Sequence, residues 1–270
     1  EEFVGAIRQA GLDNAMALAQ LAVEDTGMGV VDHKRQIFEG AANMSFGTED
    51  LISEATTGDN GTLLVEYVPF GVINSITPTT NPTSTVINHA IIMIAAGNSV
   101  VFSPHPNAQK CTIETMRIIN DAIASVSGPL NLLTAVQNAT LRTAKEIIDH
   151  DDIAMVVATG GSSVVKAALT SGKKAITAGP GNPPAVIDES ADLAKAAKDV
   201  IEGASFDNNL LCIGEKSLFV VDSVANDVMQ ELKRSGGYLL NANELQSVET
   251  LLNGGAEKDF IGKDATVILN

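Results

Sequence analysis

The 270-residue chain sets 33 acidic side chains against 17 basic ones, a formal charge of −16, which repels phosphate backbones and anionic membranes and so argues against nucleic-acid and membrane-surface functions. With 45% hydrophobic and 19% charged residues, it is long enough to bury a large core in one or two domains. Two cysteines are too few for a disulfide framework, which predicts a reducing, cytoplasmic setting.

Residues 1 to about 46 carry helical periodicity, with Phe3, Ile7, Leu12, Ala15, Leu18 and Leu21 recurring at three- to five-residue steps. The polar stretch TEDLISEATTGDNG then reads as a surface loop. TLLVEYVPFGVINSIT reads as one or two strands, broken at Pro69-Phe70-Gly71. From there strands and helices alternate. VINSIT leads into a helix from about Thr83 to Ala96, and NSVVFS into HPNAQKCTIETMRIINDAIAS. The series continues through LNLLTAV, TLRTAKEIID, IAMVVAT, SSVVKAALTSG and KKAIT. Its most apolar run, INHAIIMIAAG, is too short to span a bilayer. Such alternation predicts a doubly wound, mostly parallel α/β sheet of Rossmann-like type, with helices on both faces.

Glycines and prolines cluster in AGPGNPPAVIDES, residues 178–190, and mark the candidate hinge. We therefore divide the chain into a domain over 1–185 and a second α/β domain beginning at 186. The second contains ADLAKAAKDVIEGAS, the strand SLFVVD and two further helical stretches. It ends on DATVILN, read as a strand cut short, so the expectation is a C-terminally incomplete chain.

In an open α/β sheet, ligands bind beyond the C-terminal ends of the strands. TPTTNPTS (77–84), SPHP (103–106) and ATGGSSVVK (158–166) all occupy that position. The first offers Thr77, Pro78 and Thr79 toward a cofactor and restrains Asn81 in extended geometry before Pro82. A fixed Asn amide can donate to a developing oxyanion; the ordinary alternative is an Asn that satisfies its own turn. The third places Gly160 and Gly161 where a helix start can cradle a pyrophosphate, or where an ordinary βα turn would lie. Gly179 sits at the next strand end. Cys212, in ASFDNNLLCIGEK (204–216), follows a polar turn shaped by Asn208 and Asn209 rather than an apolar run. Cys111, among Ile113, Met116, Ile118 and Ile119, reads as a buried, unreactive thiol. His33, His89, His105 and His150 lack metal-ligand spacing, so no metal is expected.

TPTTNPTS, VVFSPHP, VATGGSSVVKAA, AGPGNPPAVIDE and SFDNNLLCIGEK, in this order, resemble the CoA-acylating aldehyde dehydrogenases of ethanolamine and propanediol utilisation. They also resemble the aldehyde domain of bifunctional aldehyde-alcohol dehydrogenases. The resemblance implies that Cys212 is the nucleophile, and that Asn81 with the Cys212 backbone N–H meets the oxyanion. It implies that Thr159, Gly160 and Gly161 underlie the cofactor pyrophosphate, and that Ser103, Pro104 and His105 meet the adenosine ribose. On this reading residues 1–185 form the dinucleotide-binding domain and the second domain is catalytic. Hydrolytic relatives carry lysine where this chain has Ser103, which leaves NAD against NADP open. They carry a water-activating glutamate where it has Ala178. Water needs that base whereas a thiol does not, so the alanine points to coenzyme A as acyl acceptor. The implied reaction converts a short aldehyde such as acetaldehyde or propionaldehyde, NAD and coenzyme A to acyl-CoA and NADH. The Cys212 thiol is expected to be activated by local dipoles such as a helix start. By the same resemblance, residues 62–70 hold an oligomerisation strand, which an ordinary edge strand explains as well; the full-length protein is expected to be a homo-oligomer, with a bacterial microcompartment shell as a further partner. Two other readings stay open: a nucleotide-binding fragment without turnover, and a hydrolytic enzyme releasing free acid.

Overall fold

Stretches with apolar residues at helical spacing become helices, and short β-branched runs bounded by Gly or Pro become strands. In the computed structural model, which describes residues 1–253 and 257–269, three helices come first: α1 (Glu2–Asp13), α2 (Ala15–Thr26) and α3 (Val31–Met44). A hairpin of β1 (Glu54–Gly58) and β2 (Gly61–Val65) follows. Then come β3 (Val72–Ile76), α4 (Pro82–Ala95), β4 (Ser99–Ser103), α5 (Gln109–Ser125) and β5 (Leu133–Ala135). Next are α6 (Leu141–Ile148), β6 (Ile153–Thr159), α7 (Ser162–Leu169) and β7 (Lys174–Ala178). The remainder is β8 (Pro184–Ile187), α8 (Leu193–Ser205), β9 (Ser217–Val220), α9 (Ala225–Arg234), α10 (Ala242–Leu251), α11 (Glu257–Phe260) and α12 (Ala265–Leu269).

These elements sort into two units, Glu1–Thr26 with Lys34–Gly179, and Gly27–His33 with the chain from Pro180 onward. In the first, five parallel strands run in the order β5-β4-β3-β6-β7. Alternation along β3 covers both faces. Val72 and Ile76 pack with Ile148 of α6 and Ala168 of α7, while Ser75 points the other way and hydrogen-bonds His89 of α4. The expected parallel α/β sheet is therefore what forms. The helical layer on the α4 side is close-packed, for a Cβ on Gly11 of α1 would stand 3.2 Å from Ala42 Cβ of α3. Arg8 of α1 donates to the carbonyls of Ala42 and Ser45, each at 2.7 Å, at the C-terminus of α3, where a cation is favoured. In the second unit β8 and β9 pair in parallel, and α8 packs against β8 and α9.

Two local expectations are corrected. The polar stretch read as a loop contains β1, paired antiparallel with β2 across the two-residue turn Asp59-Asn60. Its Thr-rich strand is exposed on every residue, so no apolar alternation signalled it. Ala265–Leu269 is helical rather than a strand, and Asn270 lies outside the described residues. The Asp264 carboxylate accepts from Thr266 N at 2.9 Å and from the Thr266 hydroxyl, which caps that helix and overrides its β-branched content.

Candidate functional site

The order β5-β4-β3-β6-β7 reverses direction between β3 and β6, and such a switch point opens a crevice at the strands' C-terminal ends. The segments that leave β3 and β6 there are the TPTTNP loop and the Thr159-Gly160-Gly161 turn. Both were singled out from sequence.

Beyond β3, Thr77 N donates to Ser103 O at 3.2 Å, which ties the ends of β3 and β4. Pro82 occupies the first turn of α4 and Asn81 its N-cap, with φ −139°. Asn81 does not spend its side chain on capping; its carbonyl accepts instead, from Thr85 N at 3.3 Å and the Thr85 hydroxyl at 2.7 Å. The turn is thus satisfied by the Asn81 backbone carbonyl and not by its side chain. Its Oδ1 accepts from Lys34 Nζ at 3.3 Å, and the same ammonium donates to Thr80 O at 2.9 Å. Lys34 is fully buried. In the same loop the hydroxyls of Thr77 and Thr79 are buried with no hydrogen-bond partner among the described residues. An unsatisfied buried hydroxyl costs about 1–3 kcal/mol, so both hydroxyls have capacity to bond a polar group brought to this loop.

At the end of β6, Gly160 N donates to Ala178 O at 3.1 Å, and the Gly161 carbonyl accepts from Val164 N at 3.0 Å to open α7. A Cβ on Gly161 would meet nothing within 4 Å, and one on Gly160 would only reach ordinary contact with Val164 at 3.7 Å. Neither glycine has a positive φ. Packing and backbone strain therefore do not account for the pair. Bare backbone beside the unsatisfied N–H groups of a helix start suits the close approach of a phosphate. The residues present thus fit a dinucleotide: hydroxyls without partners at one strand end, and a phosphate cradle at its neighbour.

The β4 end is less open. Ser103 is buried, and its hydroxyl lies 3.3 Å from Asn74 Nδ2, engaged within the sheet. Pro104 is buried as well. His105 is half-buried and accepts from Asn107 N at 3.1 Å through Nδ1, and burial lowers its pKa, which favours the neutral ring. Gly179 follows β7 in an exposed position.

The second unit carries the cysteine. After α8 the chain makes a turn over Phe206–Asn209 in which Asp207, Asn208 and Asn209 have φ of 52°, 53° and 60°. Left-handed backbone costs about 1–2 kcal/mol per non-glycine residue, and Asp and Asn tolerate it best. The strain is held by side chains. Buried Asp207 accepts from Val30 N at 2.9 Å, and its own N–H donates to His33 Nδ1 at 2.9 Å. His33 in turn stacks on Phe206 at 4.3 Å between ring centroids. Asn208 Nδ2 donates to Gly262 O at 3.0 Å, and Asn209 Nδ2 to Ala204 O at 2.6 Å and Glu215 O at 3.2 Å. Lys216 Nζ closes the loop on Asn209 Oδ1 at 2.7 Å and on the carbonyls of Asn209 and Leu211, both at 3.1 Å.

Cys212 sits exposed inside the tight turn that follows, which Gly214 N closes on Leu211 O at 3.1 Å. No helix begins at Cys212 itself; α8 ends at Ser205 and α9 starts at Ala225. Cys111 is the opposite case. It is buried, its Sγ donates to Ala108 O at 3.4 Å, and burial, then Asp25, push its pKa up to about 12. Asn81 and the paired glycines belong to the first unit and Cys212 to the second.

Sequence reasoning missed Lys34, His33 and Lys216. Only Lys34 left a signal, since with Phe38 and Ala42 it falls at four-residue steps on the buried face of α3, where a charge is out of place.

Comparison with known proteins places this geometry. The model of the aldehyde dehydrogenase family matches residues 2–239. The acetylating acetaldehyde dehydrogenase EutE of Escherichia coli (strain K12) is 45% identical over 97% of this chain, which spans 58% of that protein's length. A propionaldehyde dehydrogenase from the fucose-utilisation bacterial microcompartment of Clostridium phytofermentans superposes with TM-score 0.95 at 44% identity, covering 100% of this chain and 62% of that one. The Rhodopseudomonas palustris propionaldehyde dehydrogenase, solved with bound CoA and an acylated cysteine, gives TM-score 0.94 at 43% identity over 99% of this chain and 62% of its own. The family model and the motif resemblance agree: the chain belongs to the aldehyde dehydrogenase family.

Proposed function

We propose that the protein carrying this chain oxidises a short aldehyde to acyl-CoA. The observation that supports it is the exposed Cys212 in a turn fastened on both flanks. As thiolate, Cys212 adds to the aldehyde carbon and the carbonyl π electrons move to oxygen. Asn81 Nδ2–H and the Cys212 N–H receive that oxyanion. A bound nicotinamide dinucleotide supplies the acceptor for the hydride that leaves the carbon. Collapse of the oxyanion leaves a thioester on Cys212. Coenzyme A, its thiol proton released to solvent, attacks that thioester as thiolate, and Cys212 departs as thiolate. Ala178 has no carboxylate with which to activate water, which favours the thiol acceptor over hydrolysis.

In this reading residues 1–185 bind the dinucleotide, with Thr77, Pro78, Thr79, Thr159, Gly160, Gly161 and Gly179 around it and Ser103, Pro104 and His105 toward the ribose. Residues from 186 begin the catalytic domain. NAD is the preferred carrier, acetaldehyde or propionaldehyde the substrate, and a homo-oligomer the working form. The setting is the cytoplasm or a bacterial microcompartment, as with the Clostridium phytofermentans protein; co-sedimentation with purified shells checks the latter.

The deciding experiment follows NADH, and NADPH in parallel, from propionaldehyde with and without coenzyme A. We expect formation that depends on coenzyme A and is abolished by Cys212→Ala. Equal rates without coenzyme A identify a hydrolytic enzyme, and absence of turnover in both arms identifies a nucleotide-binding chain.

A further inference from the structure

Lys34 is a charged side chain with no exposed surface in a helix face otherwise made by Phe38 and Ala42. Burying an ammonium is costly, and a methionine of similar length would fill the same space without that cost. Two of the contacts that its tip makes fall on the TPTTNP loop. Nζ reaches Thr80 O at 2.9 Å and Asn81 Oδ1 at 3.3 Å. We propose that Lys34 is a positioning residue that orients and polarises the Asn81 carboxamide as the oxyanion donor; this rests on the role given to Asn81 above.

The physical reason lies in what each group can offer. An ammonium has three donors and no acceptor, so the carboxamide atom facing it must be oxygen. Of the two ways to place an amide, Lys34 therefore selects the one that leaves the Nδ2 hydrogens for a ligand. Positive charge on Oδ1 draws electron density from nitrogen and makes those hydrogens stronger donors. Thr80 O, held by the same ammonium, fixes the adjoining backbone, and the Asn81 carbonyl is tied to Thr85. The donor is thereby set before negative charge develops, which is where such groups gain their effect.

The experiment is a double-mutant cycle on the full-length enzyme, reading kcat and KM for coenzyme A-dependent NADH formation. Asn81→Ala alone should lower kcat by about 100-fold or more. Lys34→Met should lower kcat about 10- to 100-fold while KM for aldehyde and NAD stays within about two-fold. In the Asn81→Ala background Lys34→Met should cost less than about three-fold, because its effect travels through the amide. A lysine that serves folding alone would lower kcat by the same factor in both backgrounds, and that result overturns the proposal. So does an unchanged kcat in Lys34→Met. If Asn81→Ala itself keeps kcat, the oxyanion assignment falls first and Lys34 with it. Should Lys34→Met not fold, Lys34→Gln, neutral but with an N–H to donate, takes its place in the same cycle under the same criterion.

Discussion

His89 is buried on α4 with Nδ1 2.8 Å from the Ser75 hydroxyl, and burial lowers its pKa from 6.5 to about 4. The folded protein therefore keeps this imidazole neutral where the unfolded chain would protonate it. Between pH 6.5 and about 4 the unfolded state binds the extra proton, so stability is full above 6.5 and is lost as the pH falls through that window. Two and a half pKa units correspond to about 3 kcal/mol from this residue. Denaturant unfolding at pH 7 and pH 4.5 should show a smaller acid loss in His89→Gln than in the parent, over a common loss from carboxylates. Equal losses in both proteins would remove His89 from the account. Cys111 is the same effect on a thiol: burial favours its neutral form and leaves it inert. Of the two cysteines, Cys212 is the exposed one, as the proposed nucleophile requires.

The element that carries Cys212 was only half readable from sequence. Asp207-Asn208-Asn209 announced a turn, because these side chains accept left-handed backbone. Their partners come from far along the chain, Val30 and His33 on one side and Gly262 on the other, and nothing in local composition points to them. Nor does the sequence show that the Lys216 ammonium gathers three oxygens from residues 209 and 211. We expect Lys216→Met to loosen this turn locally rather than to unfold the unit, since the ammonium is exposed and its bonds all lie within one loop. The Gly214 amide, which donates to Leu211 O, should then exchange with solvent at least about tenfold faster, with the unfolding midpoint nearly unchanged. An unaltered exchange rate at Gly214 would show that the Asn209 bonds to Ala204 and Glu215 suffice.

Across the whole molecule, the parallel sheet and the strand-end loops were legible because βα alternation is written in hydrophobic periodicity, and the switch-point rule follows from topology. The hairpin was not, because β1 and β2 bury no face and so show no alternation to read. That same exposure poses a physical question. A two-stranded hairpin alone is marginal in water, yet this one carries Leu63 at 64% and Leu64 at 58% exposure, with Val68 at 77% and Phe70 at 50% just beyond it. Unpaired strand edges beside apolar side chains invite a further strand, and a second copy of this chain is the occupant expected from the homo-oligomeric reading. Copies that each carry a formal charge of −16 repel, so association should strengthen as added salt screens that repulsion. Light scattering of the full-length protein should give an oligomeric mass, and Leu63→Lys with Leu64→Lys should reduce it to the monomer without lowering the unfolding midpoint, since both side chains face solvent in a single copy. A double variant that keeps the parental mass would assign the contact to another surface and leave the hairpin without a partner to explain it.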